Sequence, residues 1–134
     1  MYSKIENLLK KNQSVGILIL RLFIGLLLIY GVFDNVISQK RMTEFSEYLT
    51  NRNFPFPTVC AFVSVYAQFI CGILITVGYK TRLAAVVLVI NFLVAIVTVH
   101  LGDTIEAMTP ALTMLFSNSA LIFTGAGKYS FDKE

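Results

Sequence analysis

Four long apolar segments occupy most of this chain and constrain its fold more than any other feature. They run over residues 15–37, 58–77, 83–101 and 107–124 of 134. Each has roughly 18–23 residues, the length that an α-helix needs to cross ~30 Å of hydrocarbon at ~1.5 Å per residue. The mean hydropathy of +0.72 agrees with this pattern. The sequence therefore predicts a single all-α membrane domain, a transmembrane four-helix bundle over residues 1–134.

The lysine and arginine residues outside the apolar segments are divided unequally between the two sides of the predicted bundle. Those on the side of the termini are Lys4, Lys10, Lys11, Lys80, Arg82, Lys128 and Lys133, and those on the opposite side are Lys40, Arg41 and Arg52. The positive-inside rule then predicts a multi-pass protein of the inner membrane with both termini in the cytoplasm. The net charge of +3 is thus an orientation signal beside a lipid bilayer, and no nucleic-acid partner is predicted.

The long connection between the first two segments has a helical pattern of its own. Met42, Phe45 and Leu49 recur at the spacing of one helix face, which predicts a short amphipathic helix at the outer membrane interface. Pro55 and Pro57 then end this helix and precede the second span. Two interpretations stay open, a lid over a site and a surface cover, and the pattern favours the cover.

Each apolar segment contains a polar residue in its interior. By residue count, Arg21, Gln68, Asn91 and Asn118 all lie ~9–15 Å from the cytoplasmic end of their segments. Because a charged group in lipid costs ~2.5 kcal/mol or more, we expect an inward-facing Arg21 with carbonyl or amide partners at the centre of an inner polar cluster. The alternative is an Arg21 side chain that snorkels toward the cytoplasmic headgroups. Two roles stay open for these four residues, a structural hydrogen-bonded network and a binding site for a substrate or anion.

A second polar group is predicted at the outer ends of the segments. It consists of Asp34, His100, Asp103 and Glu106. His100 and Asp103 are three residues apart, and a histidine beside carboxylates suits metal binding or proton exchange with a quinol. The loose spacing favours a solvated outer rim in which Asp103 or Glu106 also caps the last helix, and no metal site is predicted.

The chain contains no recognisable sequence motif that binds a redox cofactor. It has one histidine, which excludes a bis-histidine haem within one chain, and it has no flavin or phosphate-binding fingerprint. No covalently bound cofactor is therefore predicted, and catalytic residues stay unassigned. If redox chemistry occurs, the electron carrier belongs to a partner protein.

Gly25 and Gly72 in the first two segments predict close packing of their helices.

A set of short motifs in a fixed order gives the chain a resemblance to a known family. They are Arg21-Leu22 followed by Gly25 and Gly31, Phe54-Pro55-Phe56-Pro57, Gln68 with Gly72 and Gly78, Thr81-Arg82-Leu83-Ala84-Ala85, Thr98-Val99-His100, and Gly125-Ala126-Gly127-Lys128-Tyr129-Ser130-Phe131-Asp132. In this order the motifs resemble those of the DoxX family of small four-helix membrane proteins, over nearly the whole chain.

The resemblance implies a function more loosely than a fold. The family takes its name from a subunit of a thiosulfate:quinone oxidoreductase, which implies an accessory subunit that handles quinone or a small anionic sulfur substrate beside a redox partner. Distant relatives look like membrane chaperones and cargo receptors, so a non-catalytic chaperone or a binder of lipid or small amphiphiles is the alternative. Gln68 stands where the family often has Glu, which leaves Arg21 without an obvious counter-ion. The sequence leaves open whether the protein forms a homo-oligomer.

Overall fold

The computed structural model describes residues 1–132, which form six α-helices and no strand. The helices are α1 Tyr2–Lys11, α2 Gln13–Ile37, α3 Gln39–Asn51, α4 Pro57–Val77, α5 Thr81–Val94 and α6 Ile105–Thr124, and α5 continues through a π-helical turn at Ala95–Val99. Four of these elements are long and apolar enough to cross a membrane, namely α2, α4, α5 with its π-helical turn, and α6. The predicted all-α transmembrane bundle is confirmed.

The bundle core lies between neighbouring spans that pack in the order α2, α4, α5 and α6. Its largest buried apolar side chains include Ile24, Ile75, Leu88 and Leu121. The α2 and α4 backbones approach closely at Gly25, where an added Cβ would lie 2.8 Å from the carbonyl oxygen of Gly72. Such small residues allow helices to pack without the hydrophobic driving force that water provides.

The predicted amphipathic helix between the first two spans is α3, and it packs against α4 and α2. Ser38 caps it by accepting a hydrogen bond from the backbone N–H of Arg41. Met42 and Leu49 are buried on one side of α3, in a second core cluster with Val65 of α4. The predicted apolar face is therefore the one that contacts the spans.

Two parts of the structure lie outside the four spans and α3. The short helix α1 precedes α2 and contains no buried residue. After α6, residues 125–132 form a tail that returns to the bundle, where the backbone N–H of Lys128 donates to Oγ of Ser14 at 3.2 Å. We call this side of the bundle the terminal end, and the opposite side the α3 end.

Asp132 joins the tail to the turn between α4 and α5. Its backbone N–H donates to the carbonyl of Gly78 at 2.8 Å. Its carboxylate accepts from the backbone N–H groups of Lys80 at 2.6 Å and Thr81 at 2.9 Å. The first N–H groups of a helix have no partner within the helix, so this carboxylate caps α5 from a distant part of the chain.

Candidate functional site

Arg21 lies at the terminal end of the bundle, where its guanidinium is enclosed by backbone. The residue is 1 % exposed. It donates to the carbonyl oxygens of Ile75 at 2.9 Å and Thr76 at 3.1 Å in the last turn of α4, and to those of Ala126 at 2.7 Å and Tyr129 at 2.9 Å in the tail. The guanidinium therefore holds the end of α4 and the tail together.

The partners of Arg21 are of one of the two kinds that the sequence predicts, carbonyls and amides. The last carbonyls of a helix receive no N–H donor within the helix, and the tail has no regular secondary structure that would occupy its own carbonyls. Backbone carbonyls from both segments surround Arg21. The expected single cluster around Arg21 is thus divided, and Gln68, Asn91 and Asn118 hydrogen-bond elsewhere.

Gln68 and Asn91 belong to a hydrogen-bonded group in the middle of the bundle. Oγ of Ser64 donates to Oδ1 of Asn91 at 2.8 Å, and Nε2 of Gln68 donates to Oγ of Ser64 at 3.1 Å. Ser64 and Gln68 are one turn apart on α4, and Asn91 faces them from α5. The serine hydroxyl therefore links the two amides across the helix interface; we call the three residues the amide group.

The amide group lines a cavity of about 450 Å³ between α3, α4 and α5. Apart from it, most of the wall is apolar and aromatic; the remaining lining residues are Phe45, Tyr48, Leu49, Phe54, Val59, Cys60, Val63, Ala67, Val87, Ile90, Phe92, Val94, Ala95, Val99 and His100. We call this space the lateral cavity. Because α3 supplies part of its wall, α3 covers this cavity.

Gln68 also lines a second cavity, of about 500 Å³, between α2, α3 and α4. Three charged residues, Asp34, Arg41 and Glu44, line this space. The backbone carbonyl of Asp34 accepts from the N–H of Ser38 at 2.9 Å. Asp34 is thus placed at the junction of α2 and α3, apart from the histidine with which the sequence groups it.

Asn118 is fully buried in α6 and hydrogen-bonds within its own helix. Its Nδ2 donates to the carbonyl of Met114 at 2.8 Å. Within residues 1–132, its Oδ1 has no hydrogen-bond partner. The amide is therefore separate both from Arg21 and from the amide group, although the sequence places all of them at one depth.

His100 and Asp103 form the part of the outer cluster that the structure brings together. Nδ1 of His100 lies 3.0 Å from Oδ2 of Asp103, and His100 also lines the lateral cavity. Arg52, which follows α3, donates to the carbonyl of Val99 at 2.8 Å and lies 3.5 Å from Oδ1 of Asp103. The hydrogen bond with His100, aided by the charge of Arg52, holds the pKa of Asp103 below its usual value.

Sequence reasoning missed Arg52, because its partners come from the turn between α5 and α6 about 50 positions later in a connection with no periodic pattern. The π-helical turn before His100 was missed as well. It adds a residue to one turn and so changes the direction in which His100 leaves the helix, and such turns are frequent at functional sites.

Glu106 lies in the first turn of α6, away from the pair of His100 and Asp103. The residue that caps α6 is Thr104, whose Oγ1 accepts from the backbone N–H of Ala107 at 3.2 Å. The prediction that Asp103 or Glu106 caps this helix is therefore wrong, because a threonine with extended backbone precedes the helix directly. The part of the chain that the structure describes contains no group of three or more His, Cys, Asp or Glu residues arranged for a metal ion.

Comparison with known proteins gives one match. The model of the DoxX family matches residues 16–101, which cover α2 from its fourth residue, α3, α4, α5, the π-helical turn and the whole wall of the lateral cavity. No curated protein and no solved structure matches the chain. The matched region omits α1, α6 and the tail that binds Arg21.

Proposed function

The chain belongs to the DoxX family, and we propose that it is an accessory membrane subunit whose lateral cavity holds a quinone-type amphiphile from the bilayer. A redox partner protein would supply the electron carrier. The observation that carries the proposal is the amide group, which places hydrogen-bonding side chains on the wall of an otherwise apolar cavity of about 450 Å³. Small-molecule sites have this combination of an apolar wall and a few converging polar groups, at ~300–1,000 Å³.

The chemistry of the amide group fits the polar ring of such a ligand. A quinone carbonyl accepts hydrogen bonds, and the side-chain nitrogens of Gln68 and Asn91 each carry two N–H donors. Ser64 fixes the orientation of both amides by bonding to Nε2 of Gln68 and to Oδ1 of Asn91. The apolar and aromatic side chains of α3, α4 and α5 would contact the ring faces and the hydrocarbon tail.

His100 gives the cavity a group that can exchange a proton with a hydroxylated ligand. Its Nδ1 faces the carboxylate of Asp103, an arrangement that favours a proton on Nδ1 and a lone pair on Nε2. Nε2 can then accept a proton from a hydroxyl group of the ligand: the O–H bond breaks, the N–H bond forms, and the electron pair stays on oxygen. In this proposal His100 moves protons, and electrons leave through the partner.

Arg21 has a structural role in this proposal. Its guanidinium already donates to four carbonyl oxygens, so a small anionic sulfur substrate would have to displace backbone acceptors to reach it. This geometry supports a quinone-type ligand in the lateral cavity over an anion at Arg21. The distribution of Lys and Arg supports an inner membrane location with both termini in the cytoplasm.

A second function is supported by the aromatic wall of the cavity. Phe45 and Tyr48 of α3 and Phe54 line it, and such a surface suits the acyl chains of a lipid as well as a ring. A non-catalytic carrier of lipid or another small amphiphile, or a membrane chaperone, would use the same cavity without redox turnover.

The two functions are separated by identifying and titrating the bound molecule. We would purify the protein in mild detergent, examine it by native mass spectrometry, and titrate it with a short-chain quinone. Gln68→Leu and Asn91→Leu should each weaken quinone binding about tenfold. Thr113→Val is the matched control, because it removes an exposed polar group from a span outside the cavity. Retention of a phospholipid with no quinone binding would favour the carrier, and equal quinone affinity of all variants would place the site elsewhere.

A further inference from the structure

The helix α1 has an apolar face that no part of residues 1–132 covers. Its residues Ile5, Leu8 and Leu9 are 51 %, 61 % and 65 % exposed, and none of its ten residues is buried. With about 3.6 residues per turn, these three side chains leave the helix on one side together with Tyr2. An apolar face of this kind needs a partner, because it is unfavourable in water.

Lysines flank the apolar face of α1. Lys4 and Lys11 are two turns apart and lie together along one edge of this face, and Lys10 is ion-paired with Glu6 at 2.8 Å. Lys128 of the tail is brought to the same end of the bundle, where its backbone hydrogen-bonds to Ser14. The terminal end thus combines an exposed apolar stripe with several lysines, which is the pattern of a helix that lies in the headgroup region of a membrane.

The position of α1 along the chain supports the same partner. The first span begins at Gln13, one residue after the bend at Asn12, whose φ of −112° and ψ of 31° depart from helical values. The chain therefore enters the bilayer immediately after α1, so a lipid surface is within reach of every residue of α1. Amphipathic helices beside a span bury their apolar face among the acyl chains and place lysines beside lipid phosphates.

We propose that α1 is an in-plane membrane anchor that recognises anionic phospholipid headgroups at the terminal end of the bundle. Ile5, Leu8 and Leu9 enter the boundary of the hydrocarbon, while Lys4 and Lys11 contact the lipid phosphates. This inference is independent of the ligand in the lateral cavity, which lies between other helices. It adds a lipid-binding surface outside the region that matches the family.

Tryptophan fluorescence tests the anchor, because the chain has no tryptophan of its own. The full-length protein with Ile5→Trp, at the centre of the apolar face, is compared with a matched Asn7→Trp protein on the opposite face. Both are reconstituted in phosphatidylcholine vesicles, with or without about one third phosphatidylglycerol. Lipids brominated in the acyl chains should quench Ile5→Trp about threefold more than Asn7→Trp, and the difference should grow with phosphatidylglycerol.

The lysines are tested in the same Ile5→Trp protein by adding Lys4→Gln and Lys11→Gln. These changes should remove the effect of phosphatidylglycerol and leave quenching in pure phosphatidylcholine nearly unchanged. Equal quenching at positions 5 and 7 in all vesicles would overturn the proposal, because α1 would then project into water. Shielding of position 5 that depends on protein density in the vesicle, and not on lipid charge, would overturn it in favour of contact with a second copy.

Discussion

The carbonyl oxygen of Ala126 accepts a 2.7 Å hydrogen bond from Nη1 of Arg21, which lies 105 positions earlier in the chain. This bond closes the tail over the terminal end of α2. Three further carbonyls share the same guanidinium, and the planar fork of arginine can serve several acceptors that a single ammonium group cannot. Arg21 is therefore the point at which α2, α4 and the tail are held together.

Arg21→Leu should destabilise the folded protein by about 3 kcal/mol, because buried carbonyl oxygens lose their donor. Arg21→Lys should recover only part of this loss. The measurement is thermal unfolding in detergent, together with the rate of proteolysis of the tail, which should rise in both variants. Arg41→Leu is the control, since that arginine is exposed and paired with Glu44 on the surface. Wild-type stability of Arg21→Leu would show that the tail is held by other contacts.

Asp132 should make stability depend on acidic pH. Partial burial alone raises its pKa, but hydrogen bonds from the backbone of Thr81 and Lys80, with the charge of Arg21, hold the pKa below its usual value. A carboxyl whose folded pKa is depressed stabilises the protein fully above its unfolded pKa of about 3.9, and this contribution is lost as pH falls through the folded pKa.

Asp132→Ala should therefore lower the stability at neutral pH by about 1 kcal/mol, as expected for a lost helix cap, and flatten its dependence on pH below about 5. Unfolding midpoints of the full chain measured across this range provide the test. Glu47→Gln is a matched control for loss of an exposed carboxylate on α3. An unchanged acid transition in Asp132→Ala would assign that transition to other carboxyl groups.

Much of the bundle is predictable because hydropathy and length determine which segments span a membrane. The sequence predicts carbonyl or amide partners for Arg21 but cannot specify which carbonyls bind it, since every residue type provides a backbone carbonyl. The composition of the lateral cavity depends on the π-helical turn at Ala95–Val99, which the apolar run of the third segment does not reveal. The sequence predicts Gln68 and Asn91 as neighbours. It does not reveal that the hydroxyl of Ser64 bridges them on the wall of the lateral cavity, away from Arg21.

The helix α1 shows a different limit of prediction. Its lysines predict only the orientation of the bundle, and a ten-residue polar segment is too short to form a stable helix on propensity alone. The spacing of Ile5, Leu8 and Leu9 was nevertheless present in the sequence. Amphipathic periodicity in a segment that flanks a span is therefore the sequence signal of such a helix.

Gly25→Ala should destabilise the contact between α2 and α4. A Cβ at this position would clash with Oγ1 of Thr76 and lie 2.8 Å from the carbonyl oxygen of Gly72, so the two helices must separate. We expect a loss of about 1–3 kcal/mol in unfolding experiments. Gly31→Ala is the matched control on the same helix, because nothing lies within 4 Å of its added Cβ. That change should be neutral or slightly stabilising through helix propensity, and an equal loss in both would refute close packing as the cause.

Asp103→Asn should loosen the turn between α5 and α6 and weaken ligand binding in the lateral cavity. The substitution keeps the shape of the side chain but removes the carboxylate that His100 and Arg52 contact. Hydrogen–deuterium exchange of the backbone in this turn should rise several-fold, and the affinity for a short-chain quinone should fall about fivefold. Glu106→Gln is the control, because Glu106 lies one turn away in α6. If Glu106→Gln lowers the affinity for the quinone as much as Asp103→Asn does, then general surface charge, and not the orientation of His100, determines ligand binding in the lateral cavity.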